Sequence, residues 1–197
     1  MTELTLDDIA DLRAYERERE EFRARIIELK KLRRVSVGPF VTLVFENRDT
    51  VRFQIQEMAR VERLISDEAI QAELETYNPL IPGDGELSAT LFIELVDKAE
   101  LERWLPKLVG IEWAAELRLG TGPDDVVRCR PESAHEERLT REETTASVHY
   151  VRFPLSEPQI ERFAAGPARL AIAHESYEHE TELSDVTRRS LTVDLGA

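Results

Sequence analysis

The sequence predicts an α+β fold: an N-terminal helical arm packed on a mixed sheet built from two strand–helix–strand units. Three features predict it. The first third sets apolar residues at helical spacing in a background of Glu, Arg, Lys and Ala. Runs such as "FVTLVFE" and "SVHYVRF" alternate apolar and polar positions and are rich in β-branched and aromatic residues. Finally, the stretches 88–120 and 147–176 share one order: an alternating strand, a short helix opened by acidic residues, and a second strand.

Along the chain, Thr5 is placed to cap a helix whose first turn carries Asp7 and Asp8, where the helix dipole favours negative charge. Leu12, Tyr15, Phe22, Ile26 and Leu29 extend the pattern to about Arg34, and the basic run "KKLRRV" suits a C-terminus. "VGPF" breaks the helix and "FVTLVFE" follows as a strand. Ser66 caps a helix that stops at Asn78-Pro79, and a Pro/Gly loop leads to the first unit. "LRLGTGPDDVVRC" reads as a hairpin around a Gly/Pro/Asp turn. "RPESAHEERLTREETT" reads as an exposed charged loop. Pro158 fits the first turn of the second unit's helix. A closing helix spans 183–195, although Val186, Thr187, Thr192 and Val193 oppose it.

The chain of 197 residues fits one domain. Within it we distinguish the arm (1–36), a first half (37–130), the charged loop (131–145) and a second half (146–197). The net charge of −14 is unevenly spread. Residues 1–63 carry 13 basic and 13 acidic side chains, whereas 64–197 carry 13 and 27. So acidic a body repels phosphate backbones, and no nucleic-acid partner is expected. No apolar run is long enough to span a bilayer, so no membrane role is expected either. The charged N-terminus resembles no signal segment, and the location expected is cytoplasmic. A homo-oligomer is compatible with the sequence.

The stretch "NRDTVRFQIQEMARVE" admits a hairpin or a helix. The hairpin lacks a turn glycine and its alternation stops at Gln56. The helix is preferred, with Asp49 or Thr50 as its cap. At about 100° per residue, Val51, Ile55, Met58, Ala59, Val61 and Ile65 share one arc, and Arg52, Gln56, Arg60 and Arg63 lie opposite. Gln54 and Glu62 then fall inside the apolar arc, with Glu57 at its edge. A buried carboxylate requires a partner, so Glu62 is expected to meet Arg48, His149, a backbone donor, a water or a metal.

Other chemistry is weaker. The four histidines, His135, His149, His174 and His179, show no zinc-binding spacing, and no metal site is expected. "HESYEHETE" reads as a solvated acidic loop. Cys129 reads as a small buried thiol, its flanking Arg128 and Arg130 pointing to the other face of a strand. "GTGPDD" reads as a turn. No cofactor is called for.

The ordered segments FEN-x-DT, Q-x-x-EM ending in a Glu, YNPLIP and the AT-x-x-x-E strand, with a looser "TASVHYVRF", resemble the family known as domain of unknown function 3501. The likeness covers most of the chain and is strongest over 23–95. The chain departs from the family at Arg48, where members often carry an aromatic, and at Gln56, where many carry His. The resemblance implies no activity. It implies a redox or oxidative-stress setting, because members are encoded near rubrerythrin-like and iron–sulfur proteins.

Two functional readings follow. The first is an accessory or interaction protein that meets a redox protein through Lys30, Lys31, Arg33, Arg34, Arg52, Arg60 and Arg63. The second is an enzyme or small-ligand-binding protein with a polar pocket of Asn47, Asp49, Gln54, Glu57 and Glu62, joined by Glu94 and His149. Glu94 fits the pocket least, since Ile93 and Leu95 take the opposite strand face.

Overall fold

The computed structural model of the chain describes residues 2–132 and 144–196. The exposed loop expected over 131–145, with His135, lies for the most part outside the described residues. The fold is α+β, as the sequence predicts. The sheet is not a single mixed one. Strands β1 (Arg34–Val37), β2 (Val41–Glu46), β3 (Glu86–Ile93), β4 (Ala115–Arg118), β5 (Val126–Arg128), β6 (Arg130–Pro131), β7 (Val148–Pro154), β8 (Arg169–His174) and β9 (Tyr177–Glu182) build two sheets. Their orders are β1-β2-β3-β7-β6 and β5-β4-β8-β9, and every described pair is antiparallel.

Both strand–helix–strand units form, but each crosses from one sheet to the other. The first runs β3, α4 (Lys98–Trp104), β4, and the second β7, α5 (Glu157–Ala165), β8. The pairing decides this: β3 and β7 meet along their length in one sheet, and β4 and β8 in the other, so each connection must carry the chain between the sheets.

The core lies between the sheets. Leu43, Phe45, Leu91, Ile93, Val151 and Phe153 meet Ala115, Leu117, Leu170 and Ile172, all buried. Phe163 of α5 and Leu191 of the closing helix α6 (Asp185–Asp194) join them. The sheets touch at two corners. Cys129 alone separates β5 from β6, and its N–H donates to Ala115 O at 2.9 Å. At the other corner, Thr181 Oγ1 donates to Ser36 O at 2.8 Å.

β1 is absent from the sequence reading, which ran the arm helix to about Arg34. α1 (Leu12–Arg33) ends there and the chain enters β1 without a break. "HESYEHETE" is likewise the β8–β9 hairpin rather than a loop, with β9 burying only Tyr177. Gly38 turns β1 into β2 at φ +74°. The Tyr177 hydroxyl stands 2.5 Å from where a Cβ on Gly38 would lie. That hydroxyl donates to Val37 O at 2.7 Å and accepts from the Phe40 and Val41 N–H groups at 3.3 Å. Gly38→Ala adds a left-handed residue and a clash with this buried knot. It is expected to cost about 2 kcal/mol, read as a fall in Tm of roughly 4–8 °C. An unchanged Tm would show that the turn relaxes freely.

The arm is two pieces, not one helix. Thr5 caps a single 3-10 turn (Leu6–Asp8), and Asp11 caps α1. The break is held from outside: the Gln56 amide donates to Ala10 O at 3.1 Å and accepts from Ala10 N–H at 2.7 Å, while Arg52 Nε donates to Asp8 O at 2.7 Å. These contacts satisfy backbone groups that a continuous helix would have paired itself. Together α1, α2 (Arg48–Glu62) and α3 (Asp67–Tyr77) belong to the helical side of the molecule, where Val51, Ile55, Leu74 and Leu80 form a second core with Tyr150 of β7. Among the described residues no helix is long and apolar enough to cross a membrane.

Candidate ligand cavity

α2 forms as the sequence predicts, but Asn47 caps it, accepting from Thr50 N–H at 3.0 Å. Its buried face is also rotated. Gln56 is fully buried, while Gln54, Val61 and Glu62 are exposed. The expectation that Glu62 is buried and needs a partner therefore fails. The reason is that α1 covers the face of α2 that looks solvated in the sequence. Arg60 reaches across to Glu16 at 2.6 Å and Arg52 to Glu18 at 3.4 Å. Glu57 accepts from the buried Tyr15 hydroxyl at 2.7 Å and from Arg19 at 2.7 and 2.9 Å. The Arg19 bond, followed by the Tyr15 bond, holds the Glu57 carboxyl below its usual range although burial opposes them.

A cavity of about 150 Å³ lies where α1, α2 and the end of α3 cross the outer face of the five-stranded sheet. Its polar walls are Lys30, Glu46, Gln54, Tyr77, Thr90 and Tyr150, with Val51, Leu80, Phe92 and Val148 as apolar filling. Glu46 marks the deep end: it is 8% exposed and its carboxylate accepts from Thr90 Oγ1 at 2.7 Å. Gln54 is exposed and Lys30 half-buried, so these two mark the mouth. Burial first, and then Tyr77 and Glu46, push the Tyr150 hydroxyl above the usual tyrosine range, so it remains a neutral phenol. Arg33 fixes the floor from behind, donating from Nε to Phe45 O at 2.9 Å and from Nη2 to Glu46 O at 3.1 Å. Carboxylate, hydroxyls and aromatic faces together suit a small polar molecule, with the carboxylate suited to positive charge.

The family described as "Protein of unknown function (DUF3501)" matches residues 3–195. The chain belongs to this family. A crystal structure of a novel protein of unknown function from Burkholderia pseudomallei is similar in fold, with a TM-score of 0.89 and 34% identity over 98% of this chain and 100% of that one. No curated protein matches. Neither description names a reaction, a ligand or a redox role.

The segments that carry the likeness to DUF3501 converge on the cavity. FEN supplies Glu46, Q-x-x-EM supplies Gln54, YNPLIP supplies Tyr77 and Leu80, AT-x-x-x-E supplies Thr90 and Phe92, and HYVRF supplies Tyr150. Of the pocket residues proposed from sequence, Gln54 alone lines it. Asn47 is spent as a helix cap, and Asp49 and Glu62 are exposed. Glu57 belongs to the α1–α2 clamp. Glu94 is exposed beyond β3, bound to Arg34 and, at 2.7 Å, to Thr42 Oγ1. His149 is buried on the other sheet face, its Nε2 2.8 Å from Thr145 Oγ1 and 2.9 Å from Ala146 O, and burial lowers its pKa. Glu46 and Thr90 escaped the sequence reading because alternation assigns their strand positions to solvent, while Tyr77, the last residue of α3, and Tyr150 read as apolar packing. The usable signal was β2 itself, buried on both faces, in a strand whose residues are mostly β-branched or apolar.

The basic residues of the DUF3501 chain do not make one patch. Arg33 is 1% exposed and pairs with Asp194. Lys31 bonds Glu28 at 2.6 Å, and Arg63 ends α2 in the left-handed region. Lys30 turns to the cavity instead. Cys129 is buried and donates to Glu112 O at 3.2 Å, and burial pushes its thiol up to about 12. Among the described residues no three His, Cys, Asp or Glu side chains come together as a metal site would require. A larger groove of about 330 Å³ runs between the arm and the α2–α3 turn, past Leu6, Ile9, Leu64, Ile65 and Ile70. Its lining is mainly apolar, and its charged members, Asp11, Arg13 and Asp67, are exposed.

Proposed function

We propose that this DUF3501 protein binds a small polar molecule in the cavity above Glu46. One observation carries the reading: the separated stretches quoted for the family resemblance, from FEN to HYVRF, each place a side chain in this one cavity. A cavity of this volume accepts a molecule about the size of benzene, so the ligand has roughly six or seven heavy atoms. An accessory role beside a redox protein has less to rest on, because most of the arginines expected to form its docking surface are engaged within the chain.

The test is a small-fragment screen read by amide chemical shifts. Binders should move Gln54, Thr90 and Tyr150 together, and Val148→Phe, which fills the cavity, should abolish those shifts while leaving the fold intact. Shifts confined to the groove beside Ile65, or shifts unaffected by Val148→Phe, would overturn the reading.

A further inference from the structure

We infer that the ligand is a compact aliphatic amine that also carries an acidic group, its ammonium seated on Glu46 and its anionic end held by Lys30. The inference rests on the cavity reading above and adds the chemistry of the occupant. It starts from the charge left at the deep end. Among the described residues, three neighbouring polar groups are closed within the chain. Arg33 meets Asp194, Glu57 meets Arg19 and Tyr15, and Gln56 meets Ala10. Glu46 differs. Among the described residues its carboxylate receives one hydroxyl, that of Thr90, and no cation closes on it.

A carboxylate 8% exposed at the base of a cavity, with a single neutral donor, gains from any positive charge that joins it. The remaining lining suits an ammonium group. Tyr77, Phe92 and Tyr150 offer aromatic walls, whose faces attract cations. At the mouth, the half-buried Lys30 has no ion pair among the described residues. It thus offers a positive charge at the end of the cavity opposite the negative one. A deep anion and a cation at the mouth, separated by aromatic walls, match a molecule with the reverse polarity.

The experiment is calorimetric titration with four probes of similar length: γ-aminobutyrate, n-butylammonium, butyrate and 1-butanol. The expected order is γ-aminobutyrate tightest, n-butylammonium about fivefold weaker, and the other two without measurable binding. Glu46→Gln keeps the shape and the Thr90 bond, and should weaken γ-aminobutyrate binding roughly 30-fold or more. Lys30→Ala should bring γ-aminobutyrate down to the affinity of n-butylammonium and leave n-butylammonium unchanged.

A second readout separates a binding carboxylate from a structural one. Without ligand, Glu46→Gln should raise Tm by about 3 °C, because it replaces a mostly buried carboxylate that has no cation beside it with a neutral amide of the same shape. A fall in Tm would mean that Glu46 serves the fold and would overturn the inference. So would saturable binding of potassium ions at Glu46, or butyrate or 1-butanol binding as well as the amines. If all four probes fail while fragments still shift Gln54, Thr90 and Tyr150, the ligand class is wrong and the cavity reading stands. If those shifts are absent as well, the cavity reading falls with it.

Discussion

Arg33→Ala is expected to lower the unfolding free energy by about 3–5 kcal/mol, seen as a fall in Tm of roughly 10 °C. Arg33 is 1% exposed and closes four contacts at once: the carbonyls of Phe45 and Glu46, Ser190 Oγ, and the Asp194 carboxylate. It joins the end of α1 to the end of β2 and to α6. Removing it strands Asp194, whose carboxyl burial already raises above the usual range despite Arg33. Loss of one buried partner is far worse than loss of both. The double variant Arg33→Met with Asp194→Leu should therefore recover a good part of the loss in urea denaturation. A single variant costing under about 1 kcal/mol would show that the pair is solvated. The same change frees the backbone of Glu46, so ligand binding should fall even where the fold survives.

Glu57→Ala is expected to cost about 2–3 kcal/mol by urea denaturation, because it leaves the Tyr15 hydroxyl buried without its acceptor and releases Arg19. Tyr15 is 0% exposed, and burial followed by the Glu57 bond raises its pKa strongly, so it remains a donor. Glu57→Gln retains an acceptor and should cost about 1 kcal/mol. The effect has a pH signature. The folded carboxyl is depressed below its ordinary 4.5. Its contribution is therefore complete above that value and is lost as pH falls through the folded pKa. The difference between wild type and Glu57→Gln should be constant near neutrality and shrink below about pH 4.5. A difference that grew on acidification would overturn the assignment.

The cap of α3 and the strand content were legible in the sequence because both are local. The Ser66 side chain accepts from Ala69 N–H three residues on, whereas α1 and α2 are capped by Asp11 and Asn47 rather than by the residues expected. β2, β3 and β7 announce themselves by β-branched and aromatic content. β1 was not legible, since four residues attached directly to a helix end carry too little pattern to compete with the helix. Nor was the rotation of α2. The angular count placed the solvated face on the arginine-bearing side, but α1 covers that side and Gln54, Val61 and Glu62 meet solvent instead.

The sequence by itself therefore determined the α+β class, most of the elements and the family, all carried by residues close together in the chain. Tertiary structure decided the rest. It decided that the two units cross between antiparallel sheets, because β3 pairs with β7 and β4 with β8 across distant parts of the chain. It decided that Glu62 meets solvent while Glu46 does not, because burial depends on what covers a face, and α1 and the end of α3 come from distant parts of the chain. The cavity exists only where those covers meet the sheet, and so its walls could be quoted as motifs before they could be recognised as one site.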